Sequence, residues 1–298
     1  MEKTLPADRF WVRVLLLLAA IPFFFLLIFV LPVFRHLPFT LCCILAAVLG
    51  SQEVAGLFKR RQIAGDWRLA GFCAALFPLT AYLENWDLPG TRSAGAAMTV
   101  VVTAALSVSV LATAQLPQPD GRTPTARTLQ YAAATLFASC YPGLLIGYLV
   151  RLAGIGEPRW MLLTFFLAVF GSDTIAYVAG KLARGRTALG LPASPAKTVV
   201  GYVAGIAASV GALLVARALF PGAPRFGTFE AAMGGVAIGV CAALGDLVES
   251  AMKRAAQVKD SGVLIPGRGG LLDSIDSTLL CAPVFFLWMQ TVDWTPGA

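Results

Sequence analysis

Val14-Leu-Leu-Leu-Leu-Ala-Ala-Ile-Pro-Phe-Phe-Phe-Leu-Leu-Ile-Phe-Val-Leu-Pro-Val-Phe34 runs for 21 residues without a charge. A helix needs roughly 20 such residues to cross the hydrocarbon core of a bilayer. Similar runs recur to residue 292 of a 298-residue chain that is 58% hydrophobic and only 13% charged, with a mean hydropathy of +0.77. Ordinary globular domains carry about a quarter charged residues. The composition therefore excludes a soluble domain and predicts an all-α polytopic membrane protein. About nine spans follow from the crossing length, near residues 12–34, 37–57, 68–83, 93–115, 128–150, 159–181, 198–219, 229–250 and 276–294. The third is short, with 15 uncharged residues from Leu69 to Leu83, and the eighth has only 15 before Asp246. Five spans fall in an amino-terminal region, 1–158, and four in a carboxyl-terminal region, 159–298. The first run exceeds a usual signal-peptide core, so a retained anchor is expected.

With the amino terminus in the cytoplasm, 17 of the 23 lysines and arginines fall in cytoplasmic loops, as the positive-inside rule requires. Trp11, Trp67, Trp86, Trp160 and Trp294 then lie near the two interfaces, where aromatic belts form. The expected setting is a bacterial cytoplasmic (inner) membrane. The net charge of +7 is accounted for by loops facing anionic lipid, so no nucleic-acid partner is expected. All six cysteines lie inside apolar runs without Cys-x-x-Cys spacing, which predicts packed thiols. The only histidine, His36, is read in the first outside loop, so any acid–base chemistry proceeds without histidine. Gly201-x-x-x-Gly205 and Gly235-x-x-x-Gly239 permit close helix packing within one subunit or between two, which leaves a homodimer open.

Against this background charge collects in two places, and the topology puts both on the cytoplasmic side. The 32 residues from Gly245 to Asp276 hold five carboxylates and four basic side chains. Charge at a membrane edge is costly and usually functional. Asp246, Glu249 and Lys253 share one helix face. Gly262, Gly267, Gly269 and Gly270 free the backbone for close approach to a ligand. Asp273 and Asp276 stand one turn apart where the ninth span begins. Carboxylate oxygens suit magnesium, which often takes one or two of them beside phosphate oxygens. The lysines and arginines suit the phosphates. The second place follows the sixth span. Asp173, Tyr177 and Lys181 are spaced by four on one face, and Leu191-Pro-Ala-Ser-Pro-Ala-Lys-Thr198 is an extended turn broken by its prolines. A merely solvated, ion-paired pair of loops is the competing reading.

At these residues the chain resembles the phosphatidate cytidylyltransferase (CDP-diacylglycerol synthase) family. The signature Ser-x-x-Lys-Arg-x-x-x-x-Lys-Asp followed by Pro-Gly-His-Gly-Gly-x-x-Asp-Arg-x-Asp is matched by Ser250, Lys253, Arg254, Lys259 and Asp260, then by Pro266-Gly-Arg-Gly-Gly270, Asp273 and Asp276. Gly245-Asp246 with Glu249, Ser172-Asp173-Thr174, and Ser194-Pro195-x-Lys197-Thr198 match further elements in order. The likeness covers residues 160–295, while the amino-terminal half agrees only in hydrophobicity. Three positions depart: Arg268 replaces histidine, Ser274 replaces arginine and Val200 replaces glutamate.

The resemblance implies transfer of a cytidylyl group from CTP to phosphatidic acid at the bilayer surface. It implies Asp246, Asp273, Lys253 and Lys259 as the catalytic set. Ser172, Asp173, Ser194, Lys197, Arg254 and Arg268 would bind substrate. Asp246, Asp273 and Asp276 would hold Mg2+, in sites where metal ions commonly act as a pair. A CTP-dependent polyprenol or dolichol-type kinase, a transporter and an inactive paralogue remain the alternatives.

Overall fold

A computed structural model of the chain describes residues 22–86, 124–183, 187–195, 197–220, 226–265 and 269–292. Seven long helices follow a short helical stretch at Pro22–Val30: α1 (Val33–Arg60), α2 (Trp67–Glu84), α3 (Pro124–Leu152), α4 (Pro158–Leu182), α5 (Val199–Leu219), α6 (Thr228–Ala255) and α7 (Leu272–Thr291). All but α2 are long and apolar enough to cross a membrane. Among the described residues there is no sheet, only three isolated backbone pairings. The all-α polytopic expectation is met. Seven of the nine expected spans coincide with a helix, while residues 12–21 of the first and the whole of 93–115 lie outside the described residues.

Local chemistry sets several helix ends. Asp66 caps α2 by accepting from the Leu69 amide at 3.0 Å, and Thr198 caps α5 by accepting from Gly201 at 3.1 Å. Both satisfy first-turn amides that have no partner inside the helix. Pro158 opens α4, where its missing N–H costs nothing. At the far end of α6, Gln257 takes a left-handed backbone (φ +58) and the chain turns away beyond Lys253 and Arg254.

Contacts fix the helix directions. Asp66 donates its amide to Thr135 at 2.9 Å, and Asn85 donates to the Val150 carbonyl at 2.8 Å, so α2 and α3 run parallel. Gln52 donates to the Trp67 carbonyl and Tyr82 to the Phe34 carbonyl, which sets α1 antiparallel to α2. The remaining neighbours, α4 to α7, alternate in direction. Polar contacts accordingly gather at two ends. One end carries Arg151 paired with Glu84 at 2.9 Å and Arg217 bonded to Thr228 at 2.6 Å. The charged segments read as functional lie at the other.

His36 lies in a left-handed break of the backbone, Phe34 to His36 with φ +48, +53 and +63, between the short stretch ending at Val30 and the regular part of α1. The polar Arg35–His36 pair does mark a turn, but the histidine is buried, 5% exposed. The six cysteines are free thiols.

Small residues let the helices close on one another. A Cβ on Gly201 would stand 2.9 Å from the Ala176 carbonyl of α4, and one on Gly239 would stand 2.6 Å from Cα of Ile206 in α5. Both glycine pairs thus serve packing within this chain. Phe165 of α4 and Phe285 of α7, each fully buried, meet at 5.4 Å and fill the centre. Gly239→Ala is expected to destabilise the folded protein by about 1–3 kcal/mol through overpacking. Gly211→Ala, with nothing within 4 Å of the added carbon, should leave stability unchanged or raised. Thermal unfolding of the detergent-extracted variants checks both.

Candidate active site

Lys253, on the last turn of α6, points its ammonium between two carboxylates. It pairs with Glu249 one turn earlier and with Asp273 Oδ1 of α7 at 2.6 Å. The lysine side chain is 14% exposed, Asp273 7% and Glu249 0%. A buried charge is tolerated only when paired, so this clamp binds α6 to the first turn of α7. The helices can meet there because Gly245 lies against the Asp276–Ser277 backbone, where a Cβ would come within 2.6 Å of the Asp276 carbonyl.

The other oxygen of Asp273 gathers the glycine-rich loop. Oδ2 accepts from the Ser261 amide (2.8 Å), the Ser261 hydroxyl (2.9 Å) and the Gly270 amide (2.7 Å). Gly269 has φ +118, and a Cβ there would stand 2.6 Å from the same oxygen. Both the backbone and the carboxylate therefore exclude a side chain at this position. Ile265 and Gly269 exchange backbone hydrogen bonds at 2.7 and 3.0 Å, which ties the two ends of segment 266–268 together. Arg268 falls within that segment, outside the described residues.

Two further segments converge beside this clamp. Asp246 is paired with Lys197, which precedes the Thr198 cap of α5, and accepts from Ser250 at 3.4 Å. Burial pulls the Lys197 ammonium below the ordinary lysine range, opposed by the charges of Asp173 and Asp276 and reinforced by Lys253. Ser277 links α7 to α4: its amide donates to Asp276 at 2.7 Å and its hydroxyl to Asp173 at 3.1 Å. Asp173, Lys197, Asp246, Lys253, Asp273 and Asp276 thus come from four places in the sequence to one end of the bundle.

Other expected residues stand further out. Ser172 is buried against Gly205 of α5 and faces a helix. Ser194 closes a turn by donating its amide to Leu191 at 3.0 Å. Arg254 is exposed and reaches the Ala193 carbonyl at 3.4 Å, which brings the two polar loops into contact. Lys259 is exposed at the rim. Among the described residues no three His, Cys, Asp or Glu side chains are grouped closely enough to hold a metal ion by themselves.

Sequence reasoning passed over Glu53 of α1. Its carboxylate accepts from the Leu271 and Leu272 amides, each at 2.8 Å, and from the Ser261 hydroxyl at 3.0 Å. The available signal was a lone carboxylate in the otherwise uncharged run 37–57.

The family model described as "Cytidylyltransferase family" matches residues 11–292. The chain is 41% identical over 136 residues to a protein named phosphatidate cytidylyltransferase from Synechocystis, covering 44% of each chain. It is 28% identical over 286 residues to phosphatidate cytidylyltransferase 4, chloroplastic, from Arabidopsis thaliana, covering 85% of this chain and 67% of that one. It is also 42% identical over 132 residues to the uncharacterized protein YnbB of Escherichia coli, covering 44% of this chain and 43% of that protein. The chain therefore spans less than half the length of the first and third of these relatives.

Lys253→Met should destabilise the protein by about 3–5 kcal/mol, the usual result of stranding a buried carboxylate partner. Adding Glu249→Gln should recover part of that loss. A double-mutant cycle read by thermal unfolding checks the coupling.

Proposed function

The chain belongs to the cytidylyltransferase family, and on that premise we propose that it transfers a cytidylyl group from CTP to phosphatidic acid, giving CDP-diacylglycerol and pyrophosphate. One observation carries the reading: Lys197, Asp246 and the Lys253–Asp273 pair meet at a single polar end of apolar helices. That arrangement offers cations for phosphates and carboxylates for a metal ion, beside the bilayer that would hold the lipid.

An oxygen of the lipid phosphate attacks the α-phosphorus of CTP. The new phosphorus–oxygen bond forms as the bond to the β-phosphate bridging oxygen breaks, and that electron pair leaves with pyrophosphate. The attacking phosphate is already an anion, so no side chain has to remove a proton. Such transfers are driven mainly by positioning and charge neutralisation. Lys197, with 35% of its side chain exposed, can reach a phosphate while staying beside Asp246. Arg254 and Lys259, exposed at the rim, would hold the outer phosphates together with Arg268. Ser194 and Asp173 border the same end and would bound the substrate pocket. Ser172 would support Asp173 from within the helix packing.

Magnesium fits the donors. Asp246 and Asp276 offer hard oxygens, and Asp173 is tied to Asp276 through Ser277. The ion commonly needs only one or two carboxylates beside phosphate oxygens. Asp273 would join them by giving up Lys253, since its Oδ2 already holds the loop. Bound metal, commonly a pair of ions in such sites, supplies charge neutralisation at the attacking and leaving oxygens. We place the site at the cytoplasmic face, where CTP is available and where basic loops are favoured.

Purified protein given phosphatidic acid, magnesium and CTP should incorporate label from the cytosine base into lipid, with label from the γ-phosphate appearing in pyrophosphate. γ-Label entering lipid without the base would instead identify a kinase. Asp246→Asn should lower CDP-lipid formation by at least about a hundredfold, as loss of a key charge in such a site does, while the protein is still extracted in normal yield. Near wild-type activity in that variant would refute the role of Asp246.

A further inference from the structure

We propose that Glu53, on α1, is a positioning residue for this transfer, holding the first turn of α7 and the glycine-rich loop at the depth the substrates require. The proposal rests on the function just stated and deepens it. A helix amino terminus leaves amides without partners and favours negative charge. Glu53 meets both needs at α7, with one carboxylate oxygen on the Leu271 amide and the other on the Leu272 amide, each at 2.8 Å.

The loop is shaped around the same carboxylate. A Cβ on Gly262 would stand 2.7 Å from Glu53 Oε1, and one on Gly270 would overlap the same group. The Ser261 hydroxyl lies 3.0 Å from Glu53 and 2.9 Å from Asp273, and its single proton serves one of them at a time. Glu53, Ser261, Asp273 and Lys253 therefore form a continuous polar chain from α1 to α6. The donors to Glu53 are backbone amides and a hydroxyl, so the carboxylate acts on the direction of α7 and hence on Asp273 and Asp276. Charge inside an apolar run is costly to keep, and no signature segment supplies this one. A glutamine would turn an N–H toward the backbone amides and could not satisfy both.

The test uses the full chain, purified, with two readouts. Hydrogen exchange across residues 261–272 reports the clasp independently of any reaction. Glu53→Gln should exchange faster there and unchanged across 66–85. In the CDP-lipid assay its kcat should fall about tenfold or more, as misplacement of reacting groups does. KM for phosphatidic acid should change less than about twofold, and the melting temperature should move by no more than about 4 °C. Glu53→Asp, which keeps the charge one methylene short, should fall between wild type and Glu53→Gln in both readouts. Unchanged exchange in Glu53→Gln overturns the proposal, as does wild-type kcat. Where the glutamine variant yields no folded protein, wild-type exchange and kcat in Glu53→Asp overturn it. Loosened exchange in a protein whose wild type makes no CDP-lipid would sink the assigned reaction, because the clasp would then hold a site of another chemistry.

Discussion

The Lys253 ammonium, enclosed between Glu249 and Asp273, is the contact on which the rest of the polar end depends. An uncompensated carboxylate as buried as Glu249 would cost several kcal/mol. The pairing is therefore satisfied only in the one register of α6 against α7 that brings all three groups together. That register places Asp246 one turn earlier on α6, opposite Lys197, and Asp276 one turn later on α7, beside Asp173. The bare surface of Gly245 allows it, since any side chain there would strike the Asp276 carbonyl. Charge pairing and close helix packing thus specify each other.

The bundle separates two kinds of polar contact. At the end away from the site, Arg151 with Glu84 and Asn85 with Val150 join the α2 and α3 termini, and cation–aromatic contacts of Arg35 with Trp86 and Arg151 with Tyr148 accompany them. These groups fasten helix ends at a level where interfacial aromatics and arginines are at home. At the other end the charges surround a glycine-rich loop and a proline-broken turn, with Arg254 bridging the two loops. One end fastens helix termini, and the other gathers carboxylates and cations from α4, α6, α7 and the segment before α5. The amino-terminal half is more than an anchor in this scheme, because Glu53 of α1 accepts from the Leu271 and Leu272 amides and from the Ser261 hydroxyl.

Much of this was readable along the chain. Apolar run length alone located the helices that became α1 to α7, since crossing a bilayer demands a fixed number of apolar residues with every backbone group bonded within the segment. The spacing of Asp246, Glu249 and Lys253 placed them on one face because helical geometry is local. Glu53 escaped notice because its partners lie 208 to 219 residues away in sequence, and nothing in its own neighbourhood declares a partner. Asp273 is expected from the sequence as a catalytic metal ligand, and the structure adds that it accepts from Ser261, Gly270 and Lys253. No pattern of spacing could reveal that, because it depends on how the loop folds back.

Run length and helical periodicity, which act over a few turns, were enough to read the class of the molecule, its helices and which charged side chains share a helix face. Which carboxylate meets which cation, that the glycine pairs close helices within one chain, and that α1 supplies a carboxylate to the end of α7 came from the folded arrangement. Those outcomes follow from burial and charge compensation between segments far apart in the chain, which no local pattern encodes.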